Sequence, residues 1–161
     1  MKQGLSWILI SLIGLTGCND LPWSGSQSQQ ERLPDRWQTY RNERYGFEFL
    51  HPEGWIDSIP PEAQDGIAFS DPRNPGVEIR GWAELKRSTD KKSQNPKSNF
   101  TTDQGVPARL DIAVENQSSV MTLTIHQKDV EYHWRATAPT VQFGNYYRFF
   151  DFIAKRYRVS Q

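Results

Sequence analysis

Between residues 110 and 136 the sequence alternates apolar and polar side chains in three successive runs. Leu110, Ile112 and Val114 alternate with Asp111, Ala113 and Glu115; Met121, Leu123 and Ile125 with Thr122, Thr124 and His126; Tyr132, Trp134 and Ala136 with Glu131, His133 and Arg135. Successive side chains on a strand point to opposite faces, so this period of two gives each run one apolar face. With Lys128 and Asp129 as the central pair of a turn, Ile125 lies opposite Tyr132, Leu123 opposite Trp134 and His126 opposite Glu131. Apolar then meets apolar, and polar meets polar. With Asn116 and Gln117 as the preceding turn, Ile112 faces Met121 and Leu110 faces Leu123. A slip of one residue would put Trp134 in water, so the pattern specifies an antiparallel meander in a single register.

Beyond Pro139 the period changes. Phe143, Tyr146, Tyr147, Phe150, Ile153, Ala154 and Tyr157 recur at spacings of three and four, with Arg148, Asp151, Lys155 and Arg156 between them. This is an amphipathic helix, basic toward its C-terminal end, where the helix dipole favours cations. Its apolar stripe suits the apolar face of the meander. Upstream, residues 45–51, 66–70 and 77–85 read as three more strands, bounded by Pro52-Glu53-Gly54, Asp71-Pro72 and Asn74-Pro75-Gly76. The expected fold class is α+β: an antiparallel sheet of about six strands, a C-terminal helix on its apolar face and a comparatively polar opposite face.

Residues 86–105 break the pattern and read as a long mobile loop with room for one helical turn, because Pro96 and the missing apolar stripe oppose a stable helix. Lys86, Arg87, Lys91, Lys92 and Lys97 face only Asp90 and Asp103 there. A solvated loop accounts for that local excess, which also suits an acidic partner or anionic lipid.

The N-terminus carries a different signal. Lys2 precedes a short apolar run over residues 5–15, followed at once by Leu15-Thr16-Gly17-Cys18. The run is too short for the roughly 20 residues of a membrane-spanning helix, and the sequence reads as a secretory signal ending in a lipobox. The resemblance to bacterial lipoprotein signals implies cleavage before Cys18, acylation of that residue and an exported, lipid-tethered protein. Residues 1–17 are then the signal peptide, 18–36 the acylated cysteine and a polar linker, and 37–161 the domain. One cysteine leaves no intramolecular disulfide and no cysteine-built zinc site. The 19 basic and 19 acidic residues balance, which argues against a nucleic-acid partner.

Catalytic motifs are absent from the sequence: no paired-histidine metalloprotease spacing, no phosphate loop and no nucleophile elbow. The expectation is a non-enzyme. Of the three histidines, His126 and His133 fall on the polar face of adjacent strands beside Glu131. Cross-strand surface pairing of His126 with Glu131 accounts for these residues; the same trio also suits a divalent metal, as imidazole and carboxylate do.

Residues 45–55, Tyr-Gly-Phe-Glu-Phe-Leu-His-Pro-Glu-Gly-Trp, resemble the entry signature of the PsbP-like proteins, in which a glycine-aromatic strand runs into Tyr-Pro-x-Gly-Trp. The end of the chain, residues 147–159, is similar to that family's closing helix and the short stretch after it. His51 replaces the usual Tyr, and Lys155-Arg156-Tyr157 stands where a small residue, Ser and Phe are usual. The resemblance implies an α/β/α-type sandwich and a non-enzymatic accessory or assembly protein of photosystem II on the lumenal side of thylakoid membranes. It also implies a lipid-anchored cyanobacterial type with no cofactor, acting as a monomer on a membrane protein complex. The alternative expectation is a small-ligand or metal-binding lipoprotein on the periplasmic face of a cell envelope.

Overall fold

The computed structural model describes residues 33–58, 64–86 and 97–160. Cys18, the signal peptide, most of the linker, Arg87, Lys91 and Lys92 lie outside them.

The meander forms in the expected register. Strands β7 (Pro107–Val114), β8 (Ser118–Gln127) and β9 (Val130–Pro139) pair antiparallel, with Ile125 on Tyr132, Leu123 on Trp134, His126 on Glu131, Ile112 on Met121 and Leu110 on Leu123. Trp134 is fully buried. Upstream, β4 (Gly66–Asp71) pairs with β5 (Asn74–Leu85), and β5 joins the meander through β9. Two-residue strands β3 (Ile56–Asp57) and β6 (Phe100–Thr101) complete a seven-stranded sheet in the order β3-β4-β5-β9-β8-β7-β6. Burial fades along β7, where Ile112 and Val114 are exposed although they share the apolar face. The helix α1 (Thr140–Lys155) packs on β8, β9 and β2, leaving the outer part of β7 uncovered.

A second sheet was not foreseen in the sequence. Here β2 (Phe47–Pro52) lies between β1 (Trp37–Asn42) and β10 (Arg158–Val159), all antiparallel. This three-stranded sheet and α1 together cover the inner face of the large sheet. Among the described residues there is one helix and no second helical layer.

Packing, not local propensity, holds α1. Its N-cap position is Pro139, which offers no capping side chain, and no acid lies in the first turn. A 16-residue helix of this kind is marginal alone. Phe143, Tyr146, Phe149, Phe150, Ile153 and Ala154 are buried, and each large side chain so placed contributes about 1.5–3 kcal/mol. The Asp151–Lys155 pair, 2.9 Å apart at i and i+4, is a surface contact.

The Pro-Glu-Gly-Trp corner works as its residues suggest. Gly54 takes φ +84°, in the left-handed region that favours glycine, and the chain turns so that Trp55 comes back against Phe149, with 5.6 Å between ring centres. The second half of the expected mobile loop is tied down instead. The Asn99 side chain accepts from the Leu110 amide and donates to its carbonyl, so it stands in for a strand neighbour. Asp103 N–H donates to the Lys155 carbonyl at 2.7 Å, and Gln104 bonds both backbone groups of Val159.

The two sheets meet where Phe47 and Phe49 lie over Gly81 of β5; a methyl group at Gly81 would run into both rings. Tyr157 stacks on the same pair, at 5.8 and 6.3 Å. It is fully buried, its hydroxyl has no hydrogen-bond partner among the described residues, and burial pushes its pKa well above the ordinary tyrosine value. An unsatisfied buried hydroxyl costs about 1–2 kcal/mol. Tyr157→Phe is therefore expected to raise the urea midpoint by a stability gain of that size, whereas Gly81→Ala lowers it by about 1–3 kcal/mol through overpacking. A destabilised Tyr157→Phe protein would show that the hydroxyl is satisfied.

Candidate functional site

The inner face of the large sheet is consumed by packing, so its chemistry lies on the outer face. Register alone arranges that face in rows. Glu84, Glu131 and His126 form one row across β5, β9 and β8. Gly66, Trp82, His133, Thr124 and Arg109 form the next, from β4 to β7. Ala68, Arg80, Arg135, Thr122 and Asp111 form the third.

The first two rows converge on a histidine-carboxylate cluster. Glu131 reaches His126 Nδ1 with one carboxylate oxygen at 3.2 Å and His133 Nε2 with the other at 3.3 Å, and Glu84 approaches His133 Nε2 at 3.5 Å. These are ion-pair distances, and both ring nitrogens of His126 are buried without a hydrogen-bond partner among the described residues. Trp82 stacks on the other side of the cluster, 4.8 Å from His133 and nearly parallel to it. The structure thus brings together the three residues singled out from sequence, His126, Glu131 and His133, and adds Glu84 and Trp82. Both additions sit on β5, whose alternation was legible but whose pairing with β9 has no local turn to announce it.

Among the described residues no group of three or more His, Cys, Asp or Glu side chains is arranged to hold a metal ion. Glu131 divides its two oxygens between the two rings.

Of the basic segment, Lys86 and Lys97 are described. Lys86 follows β5, next to His126, and Lys97 precedes β6 at the sheet edge. Four strand spacings separate β5 from β6, on the order of 19 Å, so the two ends of the segment do not form one patch. Ser118 and Ser119 have no catalytic setting: Ser119 Oγ is buried and lies 3.0 Å from Thr140 Oγ1, a bond that ties the hairpin to the start of the helix.

Beside the cluster the outer face is concave. A cleft of about 880 Å³ opens over β4, β5 and β9, with Arg80, Trp82 and Arg135 on its wall. Arg80 lies 3.7 Å from Glu78, while Arg135 has no ion pair or hydrogen bond among the described residues.

No protein-family model matches the sequence, and no curated protein matches it. Among solved structures, the solution structure of cyanobacterial PsbP from Synechocystis sp. PCC 6803 superposes with a TM-score of 0.50 over 77% of this chain and 92% of that one, at 17% identity. The fold is PsbP-like. A crystal structure from Bacteroides thetaiotaomicron VPI-5482 gives a TM-score of 0.49 at 11% identity, over 71% of this chain and 45% of that chain. No helix among the described residues is long and apolar enough to cross a membrane.

Burial holds the imidazoles of His126 and His133 below the ordinary histidine value, against the opposing charge of Glu131 on both. Lys86 adds to the lowering at His126, and Glu84 opposes it at His133. His51, stacked on Phe69 at 3.8 Å, is lowered by burial as well. A histidine that is harder to protonate when folded leaves stability intact above its unfolded pKa of about 6.5 and removes it as pH falls through that value. The urea midpoint is therefore expected to fall between neutral pH and about pH 5, less steeply in the His126→Gln/His133→Gln variant. Equal slopes in the two proteins would show that the cluster does not titrate in this window.

Proposed function

We propose that this protein is a non-enzymatic accessory or assembly module, anchored by lipid at Cys18, that binds a membrane protein complex. Photosystem II at the lumenal side of the thylakoid membrane is the candidate complex. The observation that carries the reading is the fold likeness to cyanobacterial PsbP, which extends over 92% of that protein. Two features of the chain support it. The Leu-Thr-Gly-Cys sequence ending at Cys18 supplies an acylation site. Multiple acyl chains hold a protein stably, since each buried methylene contributes about 0.8 kcal/mol and a single chain gives only marginal binding. The outer sheet face offers half-buried charged side chains on a rigid support, a surface suited to polar docking more than to covalent chemistry.

The test uses the tagged full chain in a cyanobacterial host, extracted in mild detergent at low salt. The wild type is expected in the membrane fraction, migrating with a larger complex on a native gel. Cys18→Ala is expected to move to the soluble fraction and lose the complex, because the anchor supplies its high local concentration. Recovery of the wild type as free monomer only would overturn the reading, and membrane retention of Cys18→Ala would overturn the anchor.

A further inference from the structure

The register of the outer face opposes two arginines. Arg80 and Arg135 are direct cross-strand partners on β5 and β9 and point to the same side. Opposed side chains on neighbouring strands stand only about 4.5–5.5 Å apart at Cβ, where like charges repel. The neighbours in their row do not relieve this: Ala68 lies beyond Arg80 and Thr122 beyond Arg135. Glu78 reaches Arg80 from the next row at 3.7 Å, and Arg135 keeps an exposed, unengaged guanidinium. Two forked donors held side by side on a rigid sheet match the oxygens of one carboxylate or phosphate.

The setting adds shape. Trp82 lies one row away on β5, between His133, on which it stacks, and Gly66 of β4. Gly66 has no side chain to cover the ring, and there is no room for one, because a Cβ there would strike the Trp82 Cβ and the Gly81 carbonyl. The Trp82 side chain therefore lines the cleft. At about 880 Å³ the cleft, open to solvent on one side, falls within the size range of small-molecule sites. Asp65 and Glu78 also line it, so its total charge is balanced and selection rests on the paired guanidinium groups more than on a broad positive field.

We infer that this cleft is a binding site for a small organic anion, with its carboxylate or phosphate held between Arg80 and Arg135 and a flat or ring-shaped portion against Trp82. The site is independent of the accessory role and of any anchor.

The experiment is calorimetric titration of the full chain with two probes, inorganic phosphate and phenyl phosphate, with thermal melts alongside. The wild type is expected to bind phenyl phosphate saturably and more tightly than inorganic phosphate. Arg135→Gln is expected to weaken both probes by about tenfold or more, the scale of a lost charge-assisted fork. Trp82→Leu is expected to weaken phenyl phosphate and leave inorganic phosphate unchanged. Arg135 is exposed, so its replacement leaves the core intact, and relief of the repulsion keeps the ligand-free melting temperature of Arg135→Gln at or above that of the wild type. A lower melting temperature in that variant would show a structural arginine and overturn the inference. Absence of saturable binding to either probe at millimolar concentration, or equal affinities in wild type and Arg135→Gln, would also overturn it.

Discussion

Everything in this fold depends on how closely β2 lies over β5. The rings of Phe47 and Phe49 occupy the space that any side chain at Gly81 would fill, and both rings are buried. Tyr157 completes the stack from the far end of the helix. Three parts of the chain, spread over more than a hundred residues from Phe47 to Tyr157, are therefore locked by one aromatic contact. The small sheet cannot stand alone, since β10 is two residues long and β1 is paired on one side only. Its stability is borrowed from this contact, and the position of α1 is fixed by the same stack through Tyr157.

That junction also decides where chemistry is possible. With α1 and the small sheet over the inner face, the charged side chains of the meander are directed outward, where strand register sets their neighbours. The proximity of His126, Glu131 and His133 follows from one two-residue turn at Lys128 and Asp129. The Arg80 and Arg135 pair follows from β5 docking on β9, a long-range pairing. The outer face is thus a consequence of core packing: a shift of β5 by one residue would bury Arg80 and expose Ile79.

Legibility in the sequence divides along the same line. Pairings closed by short turns were readable because alternation and turn position determine each other, and Leu123 on Trp134 is one such case. The helix was readable from Phe143, Phe150 and Ile153 at helical spacing. The second sheet was not, because β1 offers Trp37 and Tyr40 without regular alternation and is held by contacts from distant residues. Asn42 is an example: its side chain accepts from Tyr45 N–H locally but donates to the Gln64 carbonyl, a partner 22 residues away. Asn99 likewise substitutes for a strand by bonding Leu110, within a polar segment that reads as loop. Glu84 and the paired arginines escaped for the reason already given for β5, since nothing local states which strand it joins.

The balance of 19 basic and 19 acidic residues conceals a spatial sorting of charge. Acids concentrate around the histidines at one end of β5 and β9, where Glu84 and Glu131 face His126 and His133. Two rows along the same strands, like charges meet in Arg80 and Arg135. Trp82 stands between them, one ring shared by the histidine cluster and the cleft. A proton arriving on His133 strengthens its contact with the electron-rich face of that ring. A substitution that repositions Trp82 therefore touches both neighbourhoods, whereas Arg135 lines the cleft without contacting either histidine.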